Sequence, residues 1–253
     1  MRYLILSDMH GNWEAMRTVL RRVKRKRFDA TLVLGDLVGY GASPNQIVDS
    51  MRRLPGRLHI VRGNHDKVAA TLDNGQSFNE AALVAARWTT EKLTPRNLDY
   101  LKSLPVGPKV VEESESDGTR VAICHGAPHD EDCYLFSEQE AWPAFQVPPK
   151  AHVTFFGHTH VPSLFILHRG GVRGVLLRGD GEIKLHPRMR YLINPGSIGQ
   201  PRDRNPWAAY MVYDTRTRTV HWYRVPYAIG KAQARIRAAN LPESLAARLD
   251  EGM

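Results

Sequence analysis

The chain carries only two cysteines in 253 residues, Cys124 at the end of an apolar run and Cys133 in a polar stretch. That usage excludes a disulfide framework, and the two read as a small core residue and an incidental thiol. No apolar run approaches the ~20 residues needed to cross a bilayer. After Arg2, only Tyr3-Leu4-Ile5-Leu6 precede the polar Ser7-Asp8, too short a run for a signal-peptide core, so a cytoplasmic location is expected. Low-complexity tracts, internal repeats and a clear domain boundary are also lacking. Residues 1–253 therefore read as a single domain, long enough to enclose a full core. Hydrophobic content of 42% and charged content of 24% are ordinary for a globular protein.

Acidic charge is the scarcer sign. Lys and Arg number 35 against 26 Asp and Glu, for a formal net charge of +9. Part of the excess is concentrated at Arg17, Arg21, Arg22, Lys24, Arg25, Lys26 and Arg27. Cations suit the solvated face and C-terminal end of a helix. No aromatic or Gly-rich RNA-binding pattern accompanies them, so nucleic acid is the less favoured partner. A positive field favours an anionic, phosphate-bearing small substrate.

The first third alternates strand-like and helix-like segments. Asn12 caps a predicted helix in which Trp13, Met16, Val19, Leu20 and Val23 recur at helical spacing. Ser43-Pro44 opens a second, with Ile47, Val48, Met51 and Leu54 on one face and Pro55-Gly56 closing it. Such alternation predicts a mainly parallel sheet. Residues 78–104 read as a helical insertion in two pieces, broken at Thr94-Pro95 and walling a cleft, and 112–119 as a polar turn between strands. After Gly157 come short strands at 163–168, 172–178, 191–194, 208–213 and 220–223, separated by turn signals such as Gly170-Gly171 and Asp180-Gly181. They predict a second, largely antiparallel sheet packed on the first. The tail, 228–253, reads as helix broken at Leu241-Pro242.

Chemistry is concentrated where five apolar runs stop. Tyr3-Leu4-Ile5-Leu6 leads into Asp8 and His10, Thr31-Leu32-Val33-Leu34 into Gly35-Asp36, and Leu58-His59-Ile60-Val61 into Gly63-Asn64-His65-Asp66. Val121-Ala122-Ile123-Cys124 leads into His125, and Val153-Thr154-Phe155-Phe156 into Gly157-His158-Thr159-His160. Parallel α/β sheets place their chemistry at the carboxyl ends of strands, so five ends are expected to deliver these groups to one sheet edge. Asp8 and His10, two apart, are expected to project the same way from an extended segment. Mixed oxygen and nitrogen donors suit Mn, Fe, Co, Zn or Ni rather than Mg or Ca. A carboxylate such as Asp36 can bridge two cations ~3.5–4 Å apart. Asp66 reads as the cap of the short helix that follows.

The series Asp8-x-His10, Gly35-Asp36, Gly63-Asn64-His65-Asp66, His125 and Gly157-His158-Thr159-His160 resembles the calcineurin-like metallophosphoesterases, with all five motifs in order. The resemblance implies a four-layer α/β sandwich, two packed mixed β-sheets flanked by helices. It also implies one divalent metal held by Asp8, His10, Asp36 and His160, and a second held by Asp36, Asn64, His125 and His158. Manganese is the first choice, with Fe, Zn, Co or Ni as alternatives. A metal-bridging hydroxide would attack phosphorus in line, and His65 would stabilise the transition state or protonate the leaving oxygen.

Within that family, Gly39-Tyr40-Gly41 stands where eukaryotic-type Ser/Thr protein phosphatases carry Asp-Arg-Gly, and Asp66 replaces their Glu. The wider text, including Asn194-Pro195-Gly196-Ser197, is similar to the compact bacterial and archaeal branch, related to diadenosine-tetraphosphate hydrolases. A phosphodiester or phosphoanhydride bond of a small nucleotide-like substrate is accordingly the expected target. A phosphomonoesterase or protein phosphatase is one alternative. A non-catalytic metal or nucleotide sensor is another, whose mark would be a lost ligand or a lost His65. Arg202, Arg204, Tyr40 and Asn12 are the candidates for substrate contact. Tyr40 has two readings, stacking on a nucleobase or packing against the insertion. The amides of the 194–197 turn offer a phosphate seat or form an ordinary tight turn.

Overall fold

The computed structural model describes residues 1–113 and 119–253. Five residues of the turn expected at 112–119, residues 114–118, lie outside that description. In chain order the elements are β1 (Arg2–Leu6), α1 (Trp13–Val23), β2 (Ala30–Val33), α2 (Pro44–Arg52), β3 (Arg57–Ile60), α3 (Asn64–Ala69), α4 (Glu80–Lys92), α5 (Pro95–Lys102), β4 (Lys109–Glu113) and β5 (Arg120–Ile123). They continue with α6 (Glu138–Gln146), β6 (Val153–Phe155), β7 (Ser163–His168), β8 (Gly171–Leu176), β9 (Gly181–Lys184), β10 (Arg190–Asn194), β11 (Ala208–Asp214), β12 (Thr219–Val225), α7 (Ile229–Ala238) and α8 (Glu243–Glu251).

Two six-stranded mixed sheets result, ordered β3-β2-β1-β11-β12-β9 and β4-β5-β6-β10-β7-β8. This corrects the expectation of a parallel sheet followed by a separate antiparallel one. The motif-bearing strands are divided between the two: β1, β2 and β3 lie parallel in the first, and β5 and β6 lie parallel in the second. Late strands complete both. β11 runs antiparallel beside β1, with Tyr3 opposite Tyr213, and β10 runs parallel beside β6, with Tyr191 opposite Val153. Period-2 patterning tells each strand which faces it buries but not which neighbour takes each edge.

Alternation along β1 shows how the layers stack. Tyr3 and Ile5 point between the sheets, packed with Leu32, Val121, Ile123, Phe155 and Ile193. Leu4 and Leu6 point the other way, against Met16, Val19, Ile47 and Val48 of α1 and α2. On the far side α6 lays Ala141, Ala144 and Phe145 over Phe156, Phe165 and Leu192. Each fully buried Leu, Ile or Phe contributes about 1.5–3 kcal/mol of transfer free energy. Helices, sheet, sheet and helix make four layers.

The strand β9 and the helix α6 escape the sequence reading. Pro143 sits inside α6 and masks it, although Ser137 and Glu140 form a capping box at its start. The two-piece helical segment is α4 and α5, capped by Asn79 and Thr94, and the tail breaks where expected, with Pro242 capping α8. Of the basic stretch, Arg17, Arg21, Arg22, Lys24, Arg25 and Arg27 are exposed, while the Lys26 ammonium lies 4.9 Å from the centroid of the Tyr223 ring. Among the described residues no helix is long and apolar enough to cross a membrane.

Candidate metal centre

The carboxyl ends of β1, β2 and β3 bring Asp8, His10, Asp36 and Asn64 from one sheet, and those of β5 and β6 bring His125, His158 and His160 from the other. The site therefore lies across two sheets rather than along one edge. The backbone leaves its strands abruptly: Asp8, His10, Asp36, His158 and His160 have φ of +53°, +46°, +52°, +66° and +61°. The extended segment expected between Asp8 and His10 is absent for this reason. A non-glycine residue in the left-handed region costs on the order of 1–3 kcal/mol and persists where surroundings enforce it.

The enforcement is visible. The β1 and β2 loops stay zipped by His10 N–H to Asp36 O (3.0 Å) and Gly11 N–H to Leu37 O (3.0 Å). Ser197 Oγ and Gly199 N–H both donate to Asp8 O, at 2.8 and 2.9 Å. The glycines beside the ligands are sterically required: a Cβ on Gly63 would strike the Asp36 carboxylate, and one on Gly157 would strike Ser7 Oγ and Asp8.

Two overlapping donor clusters result, Asp8, His10, Asp36 and His160 in one and Asp36, His125 and His158 in the other. Asp36 is common to both. Its Oδ2 lies 3.4 Å from His10 Nε2 and 3.4 Å from His125 Nε2, and it is buried without a hydrogen-bond partner. Asn64 Oδ1 lies 3.1 Å from His125 Nε2.

Backbone carbonyls set the imidazole tautomers. His10 Nδ1 meets Val38 O at 3.1 Å, His125 Nδ1 meets Leu34 O at 2.7 Å, and His160 Nδ1 meets Gln200 O at 2.6 Å. A carbonyl only accepts, so each Nδ1 carries a proton and each Nε2 points inward, with a lone pair on His10 and His160, whose rings burial keeps from charging. His10 Nε2 and His160 Nε2 then face one another at 2.9 Å, lone pair to lone pair, 3.3 Å separating the latter from Asp8 Oδ1. A cation is what relieves such an arrangement, and the donor set fits a divalent transition metal. His158 is turned the other way. Its Nε2 donates to Asp132 O at 3.1 Å, leaving the lone pair on Nδ1.

Charge sets His125 apart from His10 and His160. Burial alone would lower His125, but the Asp36 carboxylate, followed by Asp8, raises it to about 10. Burial works against the Asp36 carboxylate, yet the His125, His65 and His10 rings hold it well below the usual range. Asp66 does more than cap α3. Its Oδ2 accepts from Gly63 N–H at 3.0 Å, while Oδ1 accepts from Leu37 and Val38 N–H at 2.8 and 3.2 Å, so it ties α3 to the Asp36 loop. Burial, with the nearby Asp36 charge, pushes Asp66 up to about 7.

His65 lies beside the clusters, its ring 4.4 Å from Tyr40, 4.4 Å from Phe78 and 4.8 Å edge-on from His10. Its Nδ1 is buried and unpartnered, and burial pushes its pKa down to about 4. Arg202 donates from Nη2 to Tyr40 OH at 3.1 Å and to Gln200 Oε1 at 3.2 Å, and its charge is felt at His10, His65 and His160. Arg204 is separated from this group: it is exposed, with its N–H donating to Gly252 O at 2.9 Å. Asn12 is buried and committed internally, accepting from Ala15 N–H and donating to Gly199 O and Tyr227 OH. The 194–197 turn is likewise a brace: Gly196 N–H is taken by Asn194 Oδ1, and Asn194 Nδ2 donates to Gly157 O and Thr159 Oγ1.

Sequence reasoning missed Phe78, Asp132 and Tyr134. A cavity of about 140 Å³ opens beside the clusters and is lined by them together with Tyr40, His65 and His158. Tyr134 stacks on His158 at 3.8 Å between centroids. Nothing in their local pattern marks them, because each acts through a ring face or a backbone carbonyl.

Two mixed sheets thus converge on a buried Asp/His cluster that could hold a metal ion, and the comparisons with known proteins name the class, hydrolases of phosphoric esters. The sequence model of the calcineurin-like phosphoesterases matches residues 1–162, and the chain belongs to that family. Uncharacterized protein MJ0912 of Methanocaldococcus jannaschii is 36% identical over 247 residues, 97% of this chain and 96% of that one. A metallophosphoesterase crystal structure from Sphaerobacter thermophilus superposes with a TM-score of 0.83 at 34% identity, covering 100% of both chains. A shorter likeness, 39% over 62 residues, joins 24% of this chain to 22% of the symmetrical bis(5′-nucleosyl)-tetraphosphatase of Baumannia cicadellinicola.

Proposed function

We propose that the chain is a dinuclear-metal-dependent phosphoesterase that cleaves a phosphodiester or phosphoanhydride bond in a small nucleotide-like substrate. Asp8, His10, Asp36 and His160 would hold one divalent cation and Asp36, Asn64, His125 and His158 the other, manganese being the first choice. The observation that carries this reading is the position of Asp36, whose unpartnered buried oxygen lies 3.4 Å from a histidine of each cluster. A bound metal pair supplies acidification of water and neutralisation of charge on the phosphoryl oxygens.

The protein's own groups supply alignment and proton control. The carbonyls of Val38, Leu34 and Gln200 hold three imidazoles with Nε2 inward, so the donors are oriented before a cation is held, and His125, raised to about 10 beside Asp36, would give up its Nε2 proton to it. His65, wedged between Tyr40 and Phe78 with Nδ1 unpartnered, is positioned to bond or protonate the departing oxygen. Arg202, braced by Tyr40 and Gln200, is the candidate to receive a phosphoryl oxygen. The small cavity favours a compact ester over a folded phosphoprotein, and the likeness to a dinucleoside tetraphosphatase supports a nucleotide.

A panel of dinucleoside polyphosphates, cyclic nucleotides, diesters, monoesters and phosphopeptides, assayed on Mn²⁺-loaded protein, tests this. Turnover led by diesters or anhydrides is expected. Preferential cleavage of monoesters or phosphopeptides would transfer the reading to the phosphatase alternative, and metal uptake without any turnover would transfer it to the sensor.

A further inference from the structure

We infer that the Tyr134–Phe136 aromatic stack and the groove beside it form the nucleobase subsite of this enzyme. The inference rests on the nucleotide reading above and goes further, naming where the base sits. Tyr134 spans from the metal centre outward. One face stacks on His158 at 3.8 Å and 21°, and beyond it Phe136 lies nearly parallel to Tyr134, at 5.4 Å and 10°. Both rings stay in solvent, Tyr134 40% and Phe136 58% exposed. Phe136 immediately precedes the cap of α6, the position from which an apolar side chain ordinarily folds back onto its own helix. Here it stays out, so packing of the helix does not account for it.

From Phe136 the surface drops into a groove of about 540 Å³ between the start of α6 and the β7–β8 hairpin, within the range of small-molecule sites. The walls are joined: Gly174 N–H donates to Glu138 Oε1 at 2.8 Å, which holds the groove at fixed width. Phe165 and Leu176 supply apolar lining, and Gln139 supplies an amide at the rim. Ser163 also lines the groove. It is only 5% exposed, yet its Oγ has no hydrogen-bond partner, a buried donor-acceptor that a ligand edge would satisfy.

Charge decides which end of a nucleotide belongs here. Among the described residues no Lys or Arg lines the groove, and its one ionisable wall residue is Glu138, which repels phosphate. The histidine clusters and Arg202 lie at the other end of the stack. A phosphate at the metal centre thus leaves an uncharged aromatic ring to stack outward on Tyr134 and Phe136, with polar edge atoms toward Ser163 and Gln139. Stacking of this kind accepts any base, since every base has a π-face.

The test compares the affinities of adenosine 5′-monophosphate and ribose 5-phosphate for the Mn²⁺-loaded protein by calorimetry. The two ligands differ by the base. The unaltered chain is expected to prefer the nucleotide by about five- to 150-fold, the range of a single stacked base. In Phe136→Ala the ratio should fall toward one, and Phe136→Trp should restore it. Trp142→Ala, on an exposed side chain of α6 outside the groove, should keep the full ratio. Equal affinities in the unaltered chain, or a ratio unmoved by Phe136→Ala, overturn the subsite alone. A two-chain mass in solution that reverts to one chain in Leu176→Asp also overturns it, by assigning the face to a second copy. Failure of both ligands and of inorganic phosphate to bind overturns the phosphoesterase reading together with the subsite.

Discussion

Asp66 Oδ1 accepts the backbone N–H of Leu37 at 2.8 Å, a bond between the first turn of α3 and the loop that follows β2. Through it the element carrying Asn64 and His65 is held against the loop carrying Asp36. An amide in place of this carboxyl group would turn its N–H₂ toward at least one of three backbone donors, those of Gly63, Leu37 and Val38. Asp66→Asn is expected to cost about 1–3 kcal/mol, the penalty of an unsatisfied buried donor. That corresponds to a fall of roughly 2–4 °C in Tm per kcal/mol for a chain of this size. Unchanged thermal unfolding would mean that the clamp contributes nothing.

Asp36→Asn should lower occupancy at both metal positions together, read by elemental analysis after loading with Mn²⁺. Its Oδ2 lies equally close to His10 and His125 and it is common to both donor clusters, so one substitution would weaken both together. Loss of only one equivalent would place Asp36 in a single site.

His65 makes no contribution to either donor cluster. His65→Asn is expected to retain metal content while turnover falls by about 10²–10⁴, the range of a lost acid-base group. A variant that loses metal as well would show that the ring acts as a ligand.

Glu131 offers a pH test away from the metal centre. Its carboxylate accepts from Arg62 Nε and Nη2 at 3.0 and 2.7 Å. Burial would raise its pKa, but the Arg62 hydrogen bonds and charge, with Lys67, lower it from 4.5. A depressed folded-state value means the stabilisation is fully present above the unfolded pKa and is lost as pH falls through the folded one. Because both partners retain solvent contact, the pair is worth on the order of 1 kcal/mol. Glu131→Gln should therefore unfold more easily than the unaltered chain at pH 7, and denaturant titrations of the two should converge only in acid, as pH falls from 4.5 through the depressed folded-state value. A gap that stays constant through the acid range would show that packing, not charge, stabilises the site.

Arg202→Ala should lower kcat/KM by about tenfold or more, and Arg202→Lys should recover little, because the bonds to Tyr40 and Gln200 both come from Nη2 and a lysine spent on them would lack the second guanidinium nitrogen that can still reach a phosphoryl oxygen. Full recovery by lysine would reduce the role to a point charge.

The sequence by itself determined the donor chemistry. The residues at strand ends, the glycines beside them, the helices α1 and α2 and the two-piece helical segment of α4 and α5 follow from local pattern, because strand and helix periodicity and metal-ligand type are short-range properties. Only the tertiary structure decided that β1–β3 and β5–β6 belong to different sheets, since a strand's pattern tells its buried faces and leaves its edge partners open. The same holds for the left-handed backbone at Asp8, His10 and Asp36, a conformation that Asp and His enter more readily than most residues but adopt only where the surroundings enforce it. Tautomers were decided there too, because Val38, Leu34 and Gln200 act through carbonyls that every residue possesses. Tyr134 reaches the centre by stacking on His158, and Asn12, an apparent cleft residue, is spent on a helix cap and on Gly199. Pattern says which groups a chain owns, and folding says which of them are left free to face a ligand.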